Sequence, residues 1–168
     1  VRKDPRSAGS LADIQEQVSL QLEIRDDLNT CSDMISRLEW MRKQLCDLKD
    51  VLSSGKAAAE TIAAIGQFDS QLQSVESELF QKTIAEGDTK SFRDPQKIYM
   101  KLAVLAGDIS NSVDFAPNEQ QREVLAVLKE RLAVQKARFE ELTARDLPDF
   151  NGMLREKGIS GIILPDIQ

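Results

Sequence analysis

The residues best suited to chemistry are two pairs of adjacent carboxylates, Asp26 with Asp27 and Glu140 with Glu141. Neighbouring residues on a helix diverge by about 100°, so neither pair can share one substrate atom. A dimetal centre of the ferritin type needs Glu-x-x-His elements on facing helices, and the sequence contains no histidine. We therefore predict that these acids lie on a solvated face. We expect no catalytic residue, no metal ligand and no cofactor.

The two cysteines, Cys31 and Cys46, are the only other reactive side chains of note. They lie on one predicted helix, roughly 22 Å apart at 1.5 Å per residue, which is beyond the reach of a disulfide. A redox or metal role would need a second pair of thiols or histidines. We therefore interpret both cysteines as small buried hydrophobic residues.

Charge and hydropathy argue against two classes of partner. The 28 acidic residues outnumber the 22 basic residues, which gives a net charge of −6, and the basic residues are dispersed. Such a chain repels phosphate backbones, so we expect no nucleic-acid partner. No apolar run approaches the roughly 20 residues that a membrane span requires, so we expect no membrane span.

Composition and periodicity predict an all-α chain with a long first helix. Only 5% of the residues are aromatic, whereas β-rich domains use more aromatic and β-branched residues. Ser10 and Asp13 form a predicted capping box, so the first helix should begin near Leu11. It should run to Gly55, over about 63 Å. Its first apolar residues face more than 100° away from the later ones, so the N-terminal turns should contact something other than the main core.

Two shorter helices are predicted next. Apolar residues at intervals of three and four indicate a second helix over 57–81, which should return antiparallel to the first. Residues 82–93 are polar and are predicted to form a loop. A third helix is predicted over 95–113, with Asp94 as its cap and Pro95 in its first turn.

A fourth helix is predicted from about Asn118, and its polar faces are strongly charged. Pro148 falls inside its periodic region, where the missing N–H predicts either a kink or a new short helix. Gly158 should end the helix. Residues 159–164 form an apolar tail that we expect to dock on something.

These elements predict an elongated antiparallel bundle of about four helices in up-down-up-down order. Residues 1–9 would form an entry segment without a helical period, and residues 10–168 would form the bundle domain. Apolar residues outside the main seam are the candidates for contacts with a partner. They are Leu11, Ile14, Val18, Trp40, Ile162 and Ile163.

Four stretches carry a resemblance to a known family: residues 1–6 (VRKDPR), 13–28 (DIQEQVSLQLEIRDDL), 101–107 (KLAVLAG) and 147–159 (LPDFNGMLREKGI). Together they resemble the C-terminal region of bacterial sortilin-like, BNR-repeat (Asp-box) glycosyl hydrolase-like proteins. In that family a β-propeller is followed by a small β-domain and then by a helical tail domain.

The resemblance implies that residues 1–6 are the last strand leaving the β-domain. It also implies an exported parent protein, whose sugar-related or peptide-related chemistry would lie on the propeller and not in this chain. No catalytic residue is carried over.

Three functions are therefore weighed. The first is a non-catalytic C-terminal accessory domain that packs on or positions the upstream domains of its own polypeptide. The second is a coiled-coil-like module that self-associates or binds a helix of another protein. The third is an enzyme or a small-molecule binder. This function would need a polar-lined cavity in the core, whereas the sequence predicts a uniformly apolar core.

Overall fold

The computed structural model describes residues 8–53, 59–81, 94–112 and 114–165. In these ranges the chain forms α-helices and no strand. The five helices are α1 (Leu11–Ser53), α2 (Ala59–Leu79), α3 (Ile98–Ser110), α4 (Glu119–Glu141) and α5 (Leu147–Glu156). One π-helical turn, Leu142–Asp146, joins α4 to α5 in a continuous rod, so the described ranges contain four helical rods. The all-α class, the bundle and the long first helix are confirmed. The predicted strand at residues 1–6, the end of the first helix at Gly55 and the loop at 82–93 lie outside the described residues.

Ion pairs show that α2 runs antiparallel to α1 and that α4 runs parallel to it. Arg42 of α1 binds Asp69 of α2 at 2.7 Å, as expected of a hairpin. Arg122 of α4 lies 2.6 Å from Glu16 of α1. Lys129 and Glu23 lie 2.8 Å apart, each seven residues further along its helix. Because the second pair lies further towards the C-terminus of both helices than the first pair does, α1 and α4 run in the same direction.

The third helix continues in the direction of the second. Its end lies beside the start of α1, where the Gln17 amide donates to the Ile109 carbonyl at 2.8 Å. Its start lies against the end of α2, where Phe80 and Tyr99 pack edge to face at 6.1 Å. The directions are therefore up-down-down-up, which differs from the predicted up-down-up-down order.

Helix length explains this order. The 43 residues of α1 span about 64 Å, whereas the 21 residues of α2 span only about 32 Å. Helix α2 therefore covers about half of α1, and the 13 residues of α3 cover about 20 Å of the remainder. The α4–α5 rod covers both halves.

The helix starts follow local side-chain chemistry in two of three cases. The predicted capping box of α1 is present, since Ser10 N–H donates to Asp13 Oδ2 at 2.6 Å and Asp13 N–H donates to Ser10 Oγ at 3.1 Å. Asn118 caps α4 through a reciprocal bond with Gln121. The predicted cap at Asp94 is wrong. Helix α3 begins at Ile98, the first residue of that segment to enter the core, and Lys97 precedes it without a side-chain cap.

Pro148 does not break the fourth rod. Leu147 N–H donates to the Leu142 carbonyl five residues back, which widens the turn just before the proline. A π turn supplies the room that the proline ring would otherwise take from the preceding carbonyl. The chain then continues as α5, which ends at Glu156, and the predicted helix-ending glycine, Gly158, follows with a φ of 69°.

The core is one apolar cluster along the whole bundle. Phe68 of α2 and Phe150 of α5 stack within it, with ring centroids 4.7 Å apart. At the N-terminal turns of α1 the inward residues are Gln17 and Ile24, so the predicted second apolar face points away from the core. The largest fully buried side chains are Ile24, Leu38, Met41, Leu45, Ile65, Leu72, Leu79, Ile98, Leu102, Ile109, Leu142 and Leu154.

Candidate interaction surfaces

The six predicted contact residues fall into two groups at different heights of the bundle. Leu11 is 67% exposed and Val18 is 49% exposed, with Ile14 half-buried between them. Trp40 lies 22 positions beyond Val18, roughly 33 Å along α1. The tail residues Ile162 and Ile163 lie near Trp40 in height, as the tail contacts below show. The structure therefore does not bring the six residues together.

The first group lies where the chain begins its first helix. Gly9 is buried, and a Cβ added to it would lie 1.9 Å from the Asp114 carbonyl oxygen. This close backbone approach requires glycine, and it fixes the start of the bundle against the α3–α4 connection. Phe115, the next residue of that connection, is 54% exposed. Sequence reasoning missed Gly9 and Phe115, because no periodicity links them.

We call the exposed apolar residues at this end the N-end surface. It consists of Leu11, Val18, Leu22 and Phe115. The three α1 members recur at intervals of seven and four, so they share one face of the helix. That face is turned away from the core, because Gln17 and Ile24 are the buried residues of the same turns.

The apolar tail docks on its own bundle through two amide side chains. Asn151 of α5 donates to the Ile162 carbonyl at 2.8 Å and accepts from the Ile162 N–H at 2.9 Å. Gln44 of α1 makes the same pair of bonds to Ile163, at 2.8 and 2.9 Å. Two successive residues of an extended segment thus have both backbone groups satisfied without a neighbouring strand.

The two isoleucines of the tail differ in burial as a result. Ile162 is 4% exposed and belongs to the core of its own chain, so its predicted contact with a partner becomes an intramolecular one. Ile163 is 68% exposed. Gly161 allows the approach, since a Cβ there would lie 2.6 Å from Asn151 Oδ1. The pairing joins residues far apart in sequence, and no local signal identifies Asn151 or Gln44.

Replacing Asn151 with alanine should release the tail, because it removes both bonds to Ile162 and leaves that backbone without a partner. The expected loss is about 1–3 kcal/mol of unfolding free energy, measured by urea denaturation. Hydrogen exchange at the Ile162 amide should accelerate in parallel. Asn29→Ala, at an exposed asparagine of α1, is the matched control. Equal stability of the two variants would contradict the role of Asn151 in holding the tail on the bundle.

A buried ion-pair cluster joins α1 to α2. The Arg42 guanidinium binds Asp69 and Glu76, and the Glu76 side chain is only 2% exposed. The hydrogen bond to Asp69 raises the pKa of Arg42 above its usual value. The cluster sits between apolar layers of the two helices. It resembles a helix-pairing contact more than a reactive site, because every charged group in it faces an opposite charge.

The two thiols differ in environment. Cys31 is fully buried, and desolvation raises its pKa to about 12. Cys46 is exposed, so its predicted burial is wrong. It follows buried Leu45 by one residue and is therefore turned about 100° from the core face.

A disulfide-exchange reagent should therefore modify one thiol per native chain and two in denaturant, because only a thiolate that the reagent can reach will react. Absorbance of the released chromophore gives the count. Cys46→Ser should reduce the native count to nearly zero. Two rapid equivalents from the native protein would contradict the burial of Cys31.

The grooves of the described surface are shallow and suit side chains better than an enclosed substrate. One of about 460 Å³ lies between α1 and α2, and one of about 410 Å³ lies between α3 and α4. Among the described residues, no three His, Cys, Asp or Glu side chains converge as metal ligands would. None of the helices in the described ranges combines the length and apolar character of a membrane span.

Comparison with known proteins gives no match of any kind. No protein-family model matches the sequence. No curated protein and no solved structure matches it either.

Proposed function

We propose that this chain is a non-catalytic C-terminal accessory domain of a larger exported, glycosyl hydrolase-like protein, and that it packs on and positions the domains upstream of it. The proposal extends the family resemblance of residues 1–6, 13–28, 101–107 and 147–159. Its partner is intramolecular, and its contact region is the N-end surface.

The main observation in support of this proposal is the close packing of Gly9 against the backbone of Asp114. That contact fixes the position of Gly9 at this end of the bundle. Leu11 and Phe115 are exposed beside it, at 67% and 54%. A domain joined through residues 1–7 would therefore meet apolar side chains at once, and burying them would favour docking over free rotation.

The test is capture of the upstream domain in trans. The 168-residue chain is mixed with the separately produced polypeptide that precedes it in the parent protein, and light scattering after size exclusion gives the mass. A one-to-one complex is expected. Two free components at concentrations well above micromolar would contradict the proposal.

A matched pair of variants locates the contact. Leu11→Ser and Val51→Ser each remove an exposed apolar residue near an end of α1, since Val51 is 70% exposed. Loss of capture in Leu11→Ser, with normal capture in Val51→Ser, would place the contact at the N-end surface. Equal capture by both would contradict that placement.

A further inference from the structure

The apolar tail, residues 159–164, is held by side chains of the bundle instead of backbone pairing. Among the described residues, the last hydrogen bond between backbone groups runs from the Ile159 N–H to the Leu154 carbonyl, at 2.9 Å. The hydrogen bonds beyond it come from the side-chain amides of Gln44 and Asn151. The described helices therefore do not depend on the tail for their own hydrogen bonds.

Burial alternates along the tail. Ile162 is 4% exposed, Ile163 is 68% exposed, and Leu164 is partly buried against the core. Such alternation is typical of an extended peptide bound in a groove, where every second side chain enters the receptor. Asn151 of α5 binds the backbone of Ile162 and Gln44 of α1 binds that of Ile163, so two different rods hold the main chain.

We call this region the tail cleft. It consists of Gln44, Asn151 and the part of the core that surrounds Ile162. Each amide binds one N–H and one carbonyl, so the two central residues of an occupant must each have a backbone N–H. The first of these must also be apolar, because its side chain enters the core.

Glycine is required one position earlier. A Cβ at Gly161 would lie 2.6 Å from Asn151 Oδ1 and 2.8 Å from Asn151 Cγ. The Asn151 side chain can move away only by giving up its two bonds to Ile162. The cleft therefore favours the order glycine, aliphatic residue, any residue with an N–H, aliphatic residue.

We propose that the tail cleft is a binding site for extended peptide segments of this pattern, and that the tail is its intramolecular ligand. Of the 24 buried apolar residues in the described core, only Ile162 belongs to the tail. The cleft should therefore persist when the tail leaves it. A segment of another polypeptide with the same pattern then takes the place of the tail.

A full-length chain that cannot bury its own tail provides the first test. Ile162→Asp would put a charge into the core, so the tail should leave the cleft. This variant should bind a fluorescent synthetic peptide of residues 159–168, as measured by anisotropy. The wild-type chain should bind it at least about tenfold more weakly, because a tethered tail competes at an effective concentration of about millimolar. Adding Asn151→Ala to the variant should abolish binding, whereas adding Asn29→Ala should not.

Altered peptides test the pattern. A peptide with Gly161→Ala should bind the Ile162→Asp chain at least about tenfold more weakly, because Asn151 loses its bonds. A peptide with Ile163→Ala should bind like the unaltered one, because that side chain is exposed. Circular dichroism shows whether the helices of the variant persist. A helical Ile162→Asp chain that does not bind the peptide, or that binds the Gly161→Ala peptide equally well, would overturn the proposal.

The wild-type chain supplies a readout that needs no altered protein. Millimolar peptide 159–168 should accelerate hydrogen exchange at the Ile162 amide of the chain, because the peptide binds the cleft whenever the tail leaves it. The Gly161→Ala peptide at the same concentration should have no effect. An exchange rate that the unaltered peptide does not change would overturn the proposal. The N-end surface takes no part in these measurements, so their outcome is independent of capture of an upstream domain.

Discussion

Replacing Arg42 with methionine is expected to lower the free energy of unfolding by about 3–5 kcal/mol. Methionine keeps much of the side-chain volume but removes the charge that compensates Glu76. The Glu76 side chain is 2% exposed, so its carboxylate cannot recover water when the guanidinium is lost. Asp69 is a third exposed and can be rehydrated. The loss should therefore come from Glu76.

Chemical denaturation measures this loss, and two controls define its origin. Lys43→Met replaces the next residue of α1, whose ion pair with Asp47 is 65% exposed on both sides, so its effect on stability should be much smaller than that of Arg42→Met. Arg42→Met combined with Glu76→Leu should recover most of the stability, since it also replaces the buried carboxylate with an apolar side chain. A loss in Arg42→Met no larger than that in Lys43→Met would contradict the buried cluster.

Leu38→Ala is expected to cost about 2–5 kcal/mol, because Leu38 is fully buried in the centre of α1 and the packed helices around it cannot collapse into the cavity. Leu132→Ala, at 5% exposure on α4, should cost a similar amount. Thermal and urea unfolding give both values. Val51→Ala, at 70% exposure, is the control and should stay within about 0.5 kcal/mol. Losses below that level at both leucines would contradict the register of α1 and α4.

Much of the fold follows from periodicity and capping. Ser10, Asp13 and Asn118 mark helix starts because their side chains satisfy nearby backbone N–H groups, and such local bonds are visible in sequence. Gly158 marks a helix end for a similar reason. Helix directions are different, because an apolar stripe shows which face is buried and not which way the neighbour runs. The difference in length between α1 and α2 was the feature of the sequence that could have predicted the helix directions.

The candidate surfaces were harder to predict, because they depend on contacts between distant residues. Leu11, Val18, Trp40 and Ile163 are exposed, and each departs from the main seam in the sequence. Ile162 has the same apolar character but is buried, because Asn151 turns its backbone inward. Nothing near Ile162 in sequence distinguishes it from Ile163.

Hydrogen exchange tests the central claim most directly, by comparing the 168-residue chain alone with the same chain inside the longer polypeptide. An accessory domain docked through the N-end surface should gain protection in residues 8–22 and 114–118. The segments around Trp40 and Ile163 should exchange at the same rate in both. Protection confined to other segments, or no change anywhere, would contradict an accessory domain that packs on its upstream neighbour.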